Sequence, residues 1–274
     1  MMLIILTVVL FLLIFTICGD KGSKSIVSTA INALAMVGTL FLIYRNFNPL
    51  LVIFLASVLI TAVTLFYQNE LNVKSVASFI SVVVTVLALL GLIFFMAHKA
   101  NAQGFNAEQY EITDSNGYTR NVHISMLQLQ IATMIIALLG TVIDTAVAVT
   151  ASAYEIYQNN TSLSLQELFR SSFQVSKAVM STSIHTIFYV YIAEYMTLLM
   201  QYISDYHFSY IINSQSLASE FISVSISGIG CCLVVPIATV IGAGMIQAAG
   251  KKDGQKDVQE HTLNQETVTE TAEK

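Results

Sequence analysis

An all-α, polytopic membrane helical bundle of about seven transmembrane helices, N-terminus outside and C-terminus inside, is the architecture this sequence predicts. Three observations carry that reading. Of 274 residues, 55% are hydrophobic and 11% charged, against roughly 25% charged in soluble domains. So much apolar surface exceeds what one aqueous core hides, and lipid as solvent removes the difficulty. The apolar residues also fall into runs near the length that crosses about 30 Å of hydrocarbon. Finally, the basic residues between the runs divide unevenly between the two sides.

The runs cover roughly 2–18, 26–44, 49–67, 75–97, 125–151, 179–203 and 221–247. The first lacks a basic n-region and an A-x-A-like site, so it reads as a retained helix rather than a signal peptide. Pro49 opens the third run, where its missing N–H is harmless. Pro236 lies inside the seventh and predicts a kink. With the C-terminus inside, Lys21, Lys24, Lys74, Arg170, Lys177, Lys251, Lys252, Lys256 and Lys274 are cytoplasmic, and Arg45, Lys99 and Arg120 are outside. That bias sets the orientation, and it survives removal of the first run.

Two loops carry their own signals. Asn116-Gly117 in the outer loop 98–124 suits a type I′ hairpin, with an irregular solvated loop as the other reading. In the inner loop 155–178, Ser164 and Glu167 have capping-box spacing. Leu165, Leu168, Phe169 and Phe173 then recur at helical intervals. They predict an amphipathic helix along the inner interface, with a plain extension of the sixth span as the alternative. Residues 1–249 form the transmembrane domain. Residues 250–274, GKKDGQKDVQEHTLNQETVTETAEK, have no apolar period and predict a disordered cytoplasmic tail.

Ionisable residues within a span are costly and mark candidate sites. Asp144 lies in LLGTVIDTAVAV, and His185 and Glu194 lie in STSIHTIFYVYIAEYM. From the helical rise, Asp144 stands about 15 Å and His185 about 10 Å from the inner end of its span. Neighbouring helices would let the two share a proton, which lowers the cost of burying either. The competing reading is a structural hydrogen-bonded pair or a face against another subunit. In SVSISGIGCCLVVPIATVIGAG, Gly228 and Gly230 lie among serines, with Gly242 and Gly244 further on. Such small residues allow close helix packing, against a ligand path as the alternative.

Several function classes drop out. A net charge of −5 without clustered Lys and Arg argues against nucleic acid. Cys18, Cys231 and Cys232 have no metal-ligand spacing and read as small apolar packing residues. No G-x-x-x-x-G-K-[ST], HExxH or GxSxG occurs, so neither an enzyme nor a bound cofactor is expected.

The order of these features resembles the YibE/YibF-like family of bacterial multi-pass membrane proteins, from about Lys21 to about Met245. Gly140, Asp144, Ala146 and Ala148 close one span, Tyr154-Glu155-Ile156 follow, and then come Ser164, Glu167 and Leu168. In the last span, Ser227-Gly228-Ile229-Gly230 leads to Val235-Pro236-Ile237. One departure is His185-Thr186, where the family pattern has Asn-Thr. An Asn cannot titrate, which favours a hydrogen-bonded Asp144–His185 pair over a proton relay. The resemblance implies a YibF-like member in the cell membrane whose partners are the lipid bilayer and a companion YibE-like subunit or further copies of itself. Two functions remain open. One is a permease component, coupled to a proton or cation at Asp144. The alternative is a non-transporting partner or regulatory subunit.

Overall fold

A computed structural model describes residues 2–69, 71–99 and 125–272, without the side chains of 3, 126, 198, 215, 216 and those from 251 onward. The Asn116-Gly117 hairpin signal lies outside the described residues. Every element is helical: α1 Met2–Tyr44, α2 Pro49–Ala62 with a π-helical end Val63–Gln68, α3 Val73–Lys99, α4 Met126–Asn159, α5 Leu165–Asp205, the short α6 Phe208–Ile212 and α7 Gln215–Ala272.

The first two predicted spans are the two arms of α1. They meet at Gly19, whose φ of 54° and ψ of −131° are not helical. Glycine tolerates that positive φ because it has no Cβ to clash. The bend is sharp. A Cβ on Gly22 would stand 2.6 Å from the Ile14 carbonyl oxygen, whereas eight residues of straight helix span about 12 Å. Side chains of the first arm are exposed from Ile4 to Leu13. The second arm is tied to the π-helical turn: Asn32 Nδ2 donates to Thr64 Oγ1 at 2.9 Å, and Gln68 Nε2 donates to Ser25 Oγ at 3.3 Å.

α3, α4 and α7 form the centre, α2 covers one side of α4, and α5 packs across α4 and α7 on the other. The core is built from Val82, Leu89 and Ile93 of α3, Ile131, Leu138 and Val142 of α4, and Ile226, Val234 and Ala238 of α7. α4 and α7 run parallel and are joined near both ends. Gln130 Nε2 donates to Ser219 Oγ at 2.7 Å, and a Cβ on Gly242 would touch Thr150 at 3.4 Å. α3 runs antiparallel to them, with Ser78 Oγ and Thr150 Oγ1 2.6 Å apart.

Among the described residues, five helices are long and apolar enough to cross a membrane: Ile4–Tyr44, Pro49–Gln68, Val73–Lys99, Leu127–Asn159 and Leu217–Gly250. The other two predicted spans are the second arm of α1 and the distal part of α5, a helix diluted by polar residues. The chain is therefore an integral membrane protein with an all-α bundle.

The amphipathic interfacial helix predicted over 164–177 is not a separate element. The capping box is present: Ser164 N and Oγ donate to Glu167 Oε2 at 3.0 and 2.7 Å, and Glu167 N donates to Ser164 Oγ at 3.3 Å. From there one helix of 41 residues continues to Asp205. It contains neither Gly nor Pro, so nothing in the backbone ends it near Lys177. The plain-extension alternative is the one observed. α7 likewise stays helical through Pro236 and on to Ala272. The polar stretch 250–272 is part of this helix.

Candidate functional site

The meeting point of α4, α5 and α7 is built on hydroxyl groups. Thr145 is buried. Its Oγ1 lies 2.8 Å from the Thr141 carbonyl oxygen, 3.4 Å from Ser183 Oγ and 3.4 Å from Cys231 Sγ. This contact brings the predicted fifth, sixth and seventh spans together at one depth. Around it the interior hydroxyls turn back on their own helices. Thr85, Ser227 and Thr239 donate to the carbonyls of Ser81, Ser223 and Val235 at 2.7, 3.0 and 2.7 Å. A hydroxyl bonded to the residue four positions earlier costs little to bury.

Asp144 is one residue from Thr145 and therefore about 100° around the helix. Its side chain is exposed on the outer face of the bundle. His185 is two residues from Ser183 and is exposed as well, as is Glu194. Asp144 and His185 are not joined to each other. The residues that face one another across α4 and α5 are Thr145 and Ser183, so the predicted hydrogen-bonded pair does not form within this chain. Glu194 acts electrostatically on Glu220 of α7.

Gly140 sits one turn before Asp144 on the same exposed face, with nothing within 4 Å of where a Cβ would stand. Gly228 is similarly open. Gly230 is a true close approach, where a Cβ would meet Leu138, Val142 at 3.2 Å and Leu89 at 3.4 Å. Pro236 is half-buried in α7. Cys18, Cys231 and Cys232 are free thiols, and only Cys231 is buried.

A second polar feature, between the distal part of α5 and the start of α7, escaped the sequence reading. The Tyr195 hydroxyl bonds the Glu220 carboxylate, and the Tyr191 hydroxyl bonds Ser227. Tyr191, Tyr195 and Glu220 border a groove of about 240 Å³ that Tyr202, Phe188 and Phe221 also line. A signal existed. Tyr191, Tyr195 and Tyr202 share one helical face, and Glu220 stands immediately before the run 221–247. A carboxylate just outside an apolar run reads as a surface residue, and only the packing of α5 against α7 half-buries it.

The geometry thus divides into a hydroxyl-lined centre, an outward carboxylate beside an open glycine, and a tyrosine–glutamate groove. Residues 6–248 match a family model described as YibE/F-like protein. No curated protein and no solved structure matches the chain.

Proposed function

From the premise that this chain belongs to the YibE/F-like protein family, we propose that it is one subunit of a larger assembly in the cell membrane. In this reading it is a permease component, and Asp144 is the proton- or cation-binding group at the seam with a neighbouring subunit. That neighbour is a companion YibE-like protein or a second copy. The chain itself carries no bond-making chemistry and needs no cofactor.

The observation behind the reading is the outward exposure of Asp144 within a span. An aspartate at a helix centre costs roughly 2.5–3.5 kcal/mol to insert, and residues of this kind face protein or water rather than lipid. Open Gly140, one turn away, leaves room for another helix to approach closely. Because Thr85, Ser227 and Thr239 are bonded to their own helices, a polar route in this reading runs along the seam and not through the centre of this subunit. The same bonding favours the second reading, a non-transporting partner that holds another membrane protein through this face.

One pair of variants separates the two. On the permease reading, Asp144→Asn inserts normally and keeps its complex on a native gel, yet loses activity in the host phenotype. Asp144→Leu inserts more readily and loses the complex. Full activity in Asp144→Asn together with loss of the complex in Asp144→Leu supports the partner reading. An intact complex in Asp144→Leu overturns the seam.

A further inference from the structure

We propose that the proximal part of α5 is a binding site for the headgroup of an anionic phospholipid. Arg170 and Lys177 would hold the phosphate, and Phe169 and Phe173 would seat the glycerol and upper acyl chains. The proposal is independent of the permease reading.

The buried face of this stretch is Leu168, Ser172 and Ser176. On the opposite face Gln166, Arg170, Gln174 and Lys177 are exposed. Together with Phe169 and Phe173 they border an open groove of about 620 Å³. The two rings are stacked, 5.8 Å apart and 11° from parallel. Lys177 Nζ lies 5.3 Å from the centre of the Phe173 ring. The amide groups of Gln166 and Gln174 add N–H donors suited to phosphate and ester oxygens. Glu167, the acid of this stretch, does not line the groove, and its carboxylate is turned to Ser164.

Depth brings the groove to the headgroups. Gln247 Nε2 donates to the Leu163 carbonyl at 3.2 Å, and Gln247 is near the end of the apolar window Leu217–Gly250. The start of α5 is therefore level with the end of that window, which at 34 residues is longer than the hydrocarbon is thick, while Ser183 is level with Thr145 and Cys231 inside the bundle. Arg170 and Lys177 lie between these levels, just before the predicted span 179–203. Helical side chains lean toward their own N-terminus, here toward the boundary, and Lys177 does so over Phe173. Arg170 stands seven residues, about 10 Å, farther out along the helix, and the lean of Lys177 narrows that gap while its stem stays against lipid. Basic residues beside aromatic ones at this depth suit an anionic lipid better than a zwitterionic one.

The test uses the full chain in nanodiscs of equal phosphatidylglycerol and phosphatidylcholine, with retained lipid counted by native mass spectrometry after transfer to detergent. Phosphatidylglycerol should be retained roughly ten-fold or more over phosphatidylcholine, from two basic contacts, and the preference should fall as salt is raised. Arg170→Gln with Lys177→Gln should abolish it. Arg170→Lys with Lys177→Arg should preserve it, so a folding defect in the neutral pair cannot pass for lost recognition. Equal retention of the two lipids by the unmodified chain overturns the proposal. So does an unchanged preference in the neutral pair, or cross-linking from position 170 to protein instead of lipid.

Discussion

Asp144 and Thr145 are adjacent in sequence and opposite in circumstance. Thr145 is 1% exposed at the junction of three helices, and Asp144 faces outward from it. Gly140 and Gly230 form a similar contrast. Gly230 is crowded, and Gly140 is open. Gly230→Val should destabilise the bundle by about 1–3 kcal/mol or more, the usual cost of overpacking, read as a lower midpoint in thermal unfolding of the detergent-solubilised protein. Gly140→Ala should be neutral or stabilising by up to about 1 kcal/mol, the helix-propensity gain. Gly140→Leu should leave that midpoint near its original value and shift the native-gel complex toward the single chain. A large loss of midpoint in Gly140→Leu would mean that this face is packed within the subunit.

At the scale of elements, α5 departs most from its sequence reading. The apolar spacing of Leu165, Leu168, Phe169 and Phe173 is real, yet a helix without Gly or Pro does not end where its polarity changes. Cysteines placed singly at 168, 172 and 176 should resist labelling, and those at 174 and 177 should react. Equal labelling at all five positions would detach this stretch from α4 and α7. The start of the helix should depend on pH. Hydrogen bonds from Ser164 hold the Glu167 carboxyl below its ordinary value. A lowered folded pKa means that the cap contributes above the unfolded carboxylate value and is lost as pH falls through the folded one. Amide exchange at Leu168 should accelerate across that acidic range, and Ser164→Ala should remove the pH dependence.

For the whole molecule, the first prediction is orientation. On the orientation predicted from the sequence, nine of the twelve Lys and Arg fall on the side of the C-terminus and three on the other. A reporter active only outside the cell, fused after Lys274, should be inactive. Strong activity would reverse every inner and outer assignment, although the α5 lipid site, placed by its position just before the span 179–203, would remain.

Hydropathy alone determined that this is a helical membrane protein, because roughly 20 apolar residues in a row have few stable alternatives in lipid. The Ser164–Glu167 cap was equally legible, since its partners lie within one turn. Asp144, His185 and Glu194 could be singled out, because charge in an apolar run stands out without coordinates. The directions in which they point could not. Direction depends on which neighbour packs at each 100° step of a helix, and that is a property of the assembled bundle. The fold-back at Gly19, the crowding of Gly230 as opposed to Gly140, and the burial of Glu220 against Tyr195 all arise from contacts between segments distant in sequence. Local pattern carries no term for such contacts, so only the tertiary structure decided them.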